Sequence, residues 1–251
     1  MNIIKTDLLS EIEFIDHGFF DRNGGESENE FKSLNVGIGR GDDDKVVIEN
    51  RKKIASKFGI DVSNMIILNQ KHGDEVHVID SNNLSKYQFK DVEQSRSIEG
   101  DAIITDQKGV LIGVNTADCA PILLVDKNTK IIAAIHAGWK GAIGKVIENT
   151  IEKMKSLGCK QIVASIGPSL QKRYFEVGKE ITSHVNKKYL TSFGDKVLFD
   201  MQFLILEKLM KNGVKSVSKL NMDTLSDENF FSYRGQNGQC GVQFSGIIIK
   251  E

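Results

Sequence analysis

A chain of 251 residues, 40% of them hydrophobic, is long enough to bury about 70–75% of its unfolded surface and needs no disulfide or structural metal to hold a core. Its 33 basic and 34 acidic residues leave a net charge of −1, which excludes the charge footprint of a nucleic-acid binder. Three widely spaced cysteines argue against a secreted disulfide framework, and no signal-peptide pattern or membrane-length apolar run is present, so a cytoplasmic protein with no membrane partner is expected.

In chain order, residues 1–20 read as short strands leading into a polar loop from Asp21 to Glu30. A short strand is expected from Ser33 to Gly37. Asp42, Asp43 and Asp44 then supply the acidic first turn of a helix running to about Phe58, with Gly59 as its stop. Met65–Leu68 and Val76–Ile79 read as the two strands of a hairpin with His72 at its tip. From Ser81 to Glu99 the sequence is polar and nearly pattern-free, a surface connection and the best candidate for a mobile segment. Strand character resumes from Gly100 to Thr105.

The densest chemistry lies between Leu111 and Gly144. Two apolar runs, Pro121–Val125 and Ile131–Ile135, flank a polar connection and predict a β-hairpin. Closing that hairpin brings Cys119 and His136 to the same open end. A glycine loop with Trp139 and Lys140 follows, and Ile143, Val146, Ile147, Ile151 and Met154 then take helical spacing. Beyond it come a strand over 161–166 broken by Gly167-Pro168-Ser169, a helix from Glu176 to Tyr189, and a helix from Asp200, a suitable N-cap, to Lys211. A strand over 214–220 and a closing hairpin of Phe230–Arg234 with Val242–Lys250 complete the chain. Strands occurring mainly as hairpins, with helices beside them, predict an α+β fold with mixed and antiparallel sheets, in one domain spanning 1–251.

His72, Cys119 and His136 all stand at strand ends or a hairpin tip. One thiolate and two imidazoles are a ligand set for a catalytic zinc whose fourth position is left to water. The plainer alternative is a cysteine buried for packing and histidines satisfied by backbone. Asp118 could orient an imidazole, act as acid or base, or cap the local backbone. The loop carrying Trp139 and Lys140 could offer N–H groups and a cation to an anion, or be a tight strand-to-helix turn, and it is not a Walker pattern. Arg22, Arg40, Arg51 and Arg234 could clamp a phosphate. His17, His77 and His184 read as structural, and Cys159 and Cys240 as packing.

The segments His17-Gly18-Phe19, Ser33–Gly37, Gly41-Asp42-Asp43, Asn50-Arg51, Gln70–Gly73, Asp101–Thr105, Thr116–Pro121, His136–Gly141, Ile166-Gly167-Pro168, Tyr174–Gly178 and Phe231–Arg234 resemble, in order, the family long labelled polyphenol oxidase or laccase domain and now described as purine nucleoside phosphorylases. That resemblance covers nearly the whole chain. It implies an α/β/β/α sandwich, a metal site at His72, Cys119 and His136 holding zinc, with copper as the alternative, and phosphorolysis of adenosine, inosine and methylthioadenosine together with adenosine deamination. Cys119, His136 and Asp118 are then the expected catalytic residues, Asp118 moving the proton. Asn35, Arg51, Gln70, Trp139 and Lys140, which stand in these motifs, are the expected contacts to purine nucleoside and phosphate, in a protein acting as a monomer.

The chain departs from the pattern in several places. Ser169 and Asp223 stand where relatives carry cysteines, the terminal arginine is replaced within Cys240-Gly241-Val242, and Arg40 occupies the neighbourhood of a usual histidine. The oxidase label itself fails on ligand count, since a multicopper oxidase needs about ten histidines, many in His-x-His pairs, and this chain has five and no such pair. Two rivals remain. One is a cysteine hydrolase, with Cys119 as nucleophile and His136 as base, editing an amide in a peptidoglycan precursor. The other is a non-catalytic zinc-binding module.

Overall fold

The computed structural model describes residues 1–251. The chain runs through β1 (Ile3–Ile4), α1 (Asp7–Ser10), β2 (Ile15–Phe20), α2 (Asp44–Lys57), β3 (Met65–Ile67) and β4 (Val76–Ile79). Next come α3 (Leu84–Tyr87), α4 (Val92–Ser97), β5 (Ala102–Thr105), β6 (Leu111–Thr116), β7 (Ala120–Asp126) and β8 (Ile132–Ala137). They are followed by α5 (Trp139–Ile143), α6 (Val146–Ser156), β9 (Ile162–Ile166), α7 (Lys179–Thr182), β10 (Leu190–Phe193) and β11 (Lys196–Phe199). The last three elements are α8 (Met201–Lys211), β12 (Ser216–Lys219) and β13 (Gln243–Ile249).

Every residue of β7 and β8 is buried, because these strands are covered on both faces. Leu123, Val125, Ile132 and Ala134 face a second sheet, whereas Ile122, Leu124, Ala133 and Ile135 face helices. Apolar side chains on both faces explain the continuous apolar runs, and they leave the register to the turn rather than to the pattern. Asp126 fixes it. Its Oδ1 accepts from the backbone N–H of Asn128 and Thr129, and its Oδ2 from those of Lys160 and Gln161, which ties the hairpin turn to the start of β9.

Two sheets stack face to face. One has the order β12-β9-β7-β8-β5-β4 and the other β1-β2-β13-β6-β3, while β10 and β11 form a separate hairpin. Both large sheets are mixed, with parallel pairs β4–β5, β9–β12 and β3–β6 among antiparallel neighbours. Val146, Ile147, Ile151 and Met154 of α6 and Leu204, Ile205 and Leu209 of α8 cover the outer face of the first sheet. Ile54 and Ala55 of α2 pack on Met65, Leu111, Phe244 and Ile248 of the other. The layers are therefore α/β/β/α, an α+β fold with mixed and antiparallel sheets as expected. No helix is long and apolar enough to cross a membrane.

The predicted β7–β8 hairpin, α2, and α8 capped by Asp200 are all present, although of the three aspartates expected in the first turn of α2 only Asp44 lies there and Asp43 is the N-cap. Others differ. The 33–37 segment is not a strand; Asn35 Oδ1 accepts from Gly37 and Val242 N–H, so a side chain takes the place of a ladder. Strands β3 and β4 are not a hairpin, since β3 pairs β6 in one sheet and β4 pairs β5 in the other. The 81–99 connection contains α3 and α4, the second capped by Asp91. The 176–189 helix is reduced to α7 and a 3₁₀ turn, because Asn186 is extended and its side chain caps Lys188 N–H. Finally, Phe230–Arg234 cannot pair with β13, because both edges of β13 are filled by β2 and β6.

Candidate metal centre

Register places the chemistry. Ala120 lies opposite Ala137 and Pro121 opposite His136, so Cys119 stands one residue outside the ladder at the His136 end. Two residues in the left-handed region bend the chain there, Asp118 at φ +84° and His72 at φ +61°. Such positions are uncommon for residues with a side chain and concentrate at functional sites. His72 arrives on the crossing from β3 to β4, where the chain passes between the sheets. Its Nε2 lies 3.8 Å from Cys119 Sγ. The His72 and His136 rings meet edge to face with centroids 4.7 Å apart, and one ligand atom from each of the three residues lies within 4.8 Å of the others.

Asp101 organises this cluster, and it was not among the expected site residues. It is 1% exposed. Its Oδ1 accepts from His136 Nδ1–H at 2.8 Å and from His72 N–H at 2.9 Å, and its Oδ2 accepts from Gly73 N–H at 2.7 Å. One carboxylate therefore fixes the ring of His136 and the loop that carries His72. With Nδ1 protonated, His136 presents its Nε2 lone pair to the cluster, the arrangement in which a carboxylate orients a metal-binding imidazole. Burial would push the Asp101 carboxyl up, but His136 and the N–H groups of Gly73 and His72 outweigh it and hold it below the ordinary range. Burial opposes the Cys119 thiolate too, yet the His136 charge and hydrogen bonds from both imidazoles bring the thiol down, and the same partnership raises His136. Among its own residues, then, the site stabilises a thiolate.

The donor set fits a metal. A thiolate and two imidazoles suit a tetrahedral ion, and ligand bonds of about 2.0–2.3 Å would draw the three atoms only modestly closer. No fourth protein ligand closes the group, which is the form of a catalytic site rather than a structural one. The open side gives onto a pocket of about 730 Å³, within the range of small-molecule sites. Arg40, Lys71, Lys140 and Arg234 line it, with Asp118 as its one carboxylate.

The expected site residues divide on this geometry. His72, Cys119, His136, Asp118, Gln70, Trp139 and Lys140 all line the pocket. Trp139 begins α5 and is partly buried against the helix-side core, with Lys140 Nζ 5.6 Å from its ring centre. Gln70 is spent on backbone, donating to Asn115 O and accepting from Asn115 N–H. Asp118 accepts from Thr224 Oγ1, Ser232 Oγ and Arg234 N–H, each at 2.7 Å, which fastens two distant loops to the pocket floor. Asn35 stands apart, buried and bonded to Asp42, Gly37 and Val242. Arg51 also lies outside this pocket and faces a neighbouring cavity. Phe175 and Tyr233 join the wall with no sign in their sequence beyond the family-like motifs they belong to, and Arg234, one of the four arginines considered for phosphate, stands beside them.

Gly138 is a steric requirement of the centre. A Cβ on it would stand 2.7 Å from His72 Cδ2 and 3.1 Å from Cys119 Sγ. Gly138→Ala is therefore expected to displace a ligand and weaken metal binding by roughly tenfold or more, while the fold, whose core it does not touch, keeps its melting temperature without metal within a few degrees. Chelator competition and melting curves check this; unchanged metal affinity would show that the two ligands have room to move.

A family model described as multi-copper polyphenol oxidoreductase laccase matches residues 16–250. Among curated relatives, "Adenosine deaminase RL5" from an unknown prokaryotic organism is 30% identical, covering 98% of each chain. A "Purine nucleoside phosphorylase" from Deinococcus radiodurans is 36% identical over 93% of this chain and 88% of that one. Of solved structures, the Neisseria meningitidis protein NMB0706 superposes with a TM-score of 0.82 at 30% identity, covering 95% of each chain. The Bacillus licheniformis protein YfiH does so at 0.88, with 24% identity over 96% and 94%.

Proposed function

The chain belongs to the family described as multi-copper polyphenol oxidoreductase laccase, and we propose that within it this protein is a zinc-dependent purine nucleoside phosphorylase that also deaminates adenosine. The observation that carries the reading is the open His72–Cys119–His136 group at the floor of a cationic pocket. Relatives named for the two activities support it. A thiolate in the set favours zinc, and a single three-ligand group does not make a multicopper centre. Bound there, zinc would supply Lewis acidity and bring water to a pKa of roughly 7.

The chain's own residues divide the remaining work. Asp101 keeps His136 in one tautomer and holds the His72 loop against it. Trp139, Phe175 and Tyr233 give a purine ring flat apolar surface, and Lys140 and Arg234 make the same wall positive. Asp118, expected to move a proton, is a positioning residue in this account. Three of its lone pairs are committed to Thr224, Ser232 and Arg234, and through them it holds Tyr233 and Arg234 at the pocket. Purified protein given adenosine and phosphate is expected to release adenine and inosine, resolved by chromatography. Adenosine recovered unchanged from protein with a full complement of zinc would overturn the proposal.

One observation favours a second reading. Cys119, His136 and Asp101 form a chain of thiol, imidazole and carboxylate, with the thiol lowered and the imidazole raised, as in a cysteine hydrolase. Against it, a nucleophile has no use for the second imidazole, His72, aimed at the same sulfur.

A further inference from the structure

A second cavity of about 210 Å³ lies beside the metal pocket, and Arg40, Gln70, Lys71 and Asn115 stand in the wall common to both. Arg51 and Arg96 complete its charged lining, and no aspartate or glutamate takes part. Three guanidinium groups thus converge from three segments: α2, the last turn of α4, and the loop before α2. Only Lys71 has an acidic partner, Glu99 at 2.9 Å; no arginine of the chain has a carboxylate within 4.0 Å.

Arg51 is the buried member of the three. It is 4% exposed, donates from Nε to Val36 O and from Nη1 to Ser95 Oγ, and leaves Nη2 without a protein acceptor. The Phe89 ring centre lies 5.9 Å from its Cζ, and Asp44, outside ion-pair distance, is the acidic group whose charge it feels. Nη2 is not sealed off in the core, so the donor that the protein leaves unused is open to the cavity that Arg51 lines, where an anion can reach it. The surroundings are built to the same end. Arg96 lies over Gly39, where a Cβ would meet its Cζ at 3.0 Å, and Asn69 Nδ2 holds the end of α4 by donating to Arg96 O. Planar guanidinium groups meet phosphate oxygens two at a time, which a compact ammonium does not.

We propose that this cavity binds a phosphate group, carried either by inorganic phosphate or by a phosphorylated nucleoside whose base occupies the metal pocket. The choice of phosphate among oxyanions rests on the nucleoside reading of that pocket; the anion rests on the arginines alone. The phosphate therefore sits with Arg40, Arg51 and Arg96, not on the Lys140 loop.

Titration calorimetry of the zinc-loaded protein with inorganic phosphate, adenosine and adenosine 5′-monophosphate tests this on the wild type, Arg40→Ala, Arg96→Ala and, as a control, Arg173→Ala. Phosphate should bind at one site, weaken about tenfold in each cavity variant and stay unchanged in the control, with zinc content equal in all four. If the phosphate arrives on the nucleoside, the monophosphate should bind about tenfold tighter than adenosine and lose that advantage in Arg96→Ala; if it arrives free, phosphate should bind alongside adenosine. Equal phosphate affinity in wild type and both cavity variants, or no phosphate binding together with no advantage for the monophosphate, would overturn the proposal. Binding is read apart from turnover, so the two readings fail separately. Phosphate bound as described without any phosphorolysis defeats the phosphorylase and keeps the subsite. Phosphorolysis at an unaltered phosphate KM in both cavity variants does the reverse.

Discussion

Cys119→Ala is expected to purify with roughly a tenth or less of the wild-type metal and to lose deamination and phosphorolysis together, because one of three protein ligands is gone and both reactions use the pocket it orders. Cys119→Asp retains an anionic ligand able to bind zinc at about 2.0–2.2 Å and should recover part of the metal and some activity. A nucleophilic role for Cys119 predicts a different pattern, in which both variants are dead and Cys119→Ala keeps its metal. A packing role predicts a small loss of melting temperature with activity intact. Metal content, product formation and melting curves on the two variants separate the three, and full metal occupancy in Cys119→Ala would remove it as a ligand.

Asp101→Asn should have the next largest effect. The amide keeps the volume but turns an NH₂ toward donors that now face a carboxylate oxygen, either His136 Nδ1–H and His72 N–H or Gly73 N–H. Metal affinity should fall about 10–100-fold, the cost typical of losing the partner that orients a ligand. The metal-free fold should lose about 1–3 kcal/mol for the unsatisfied buried groups. Folding lowers the Asp101 pKa, so its ionised form contributes stability above the unfolded value of about 3.9 and that contribution disappears as pH falls through the lower folded value. The melting difference between wild type and variant should thus be steady near neutrality and shrink in strong acid. A variant with wild-type metal affinity would show that His136 needs no support from Asp101.

What could be read from sequence was local. The β7–β8 hairpin, the acidic start of α2 and the cap of α8 depend on residues within a few positions of one another, and Cys119 and His136 met because one hairpin carries both. What failed was non-local. The pattern of 65–79 holds two strands and a turn, but nothing in it says that the strands join different sheets. Phe230–Arg234 has strand-like composition, and only the neighbours of β13 deny it an edge. Asp101 reads as the polar start of a strand; its partners His72 and His136 lie 29 and 35 residues away, so its role appears only when the sheets close. The same holds for Arg51 and Arg96, which belong to separate helices and share a cavity only in three dimensions.

The central claim is that this chain works through one metal held by His72, Cys119 and His136. Elemental analysis of purified wild-type protein, with adenosine turnover followed before chelation, after chelation and after zinc is restored, tests it most directly. The account predicts close to one equivalent of zinc per chain, with both activities lost on removal and regained on return. Undiminished turnover in protein from which all metal has been stripped would contradict it.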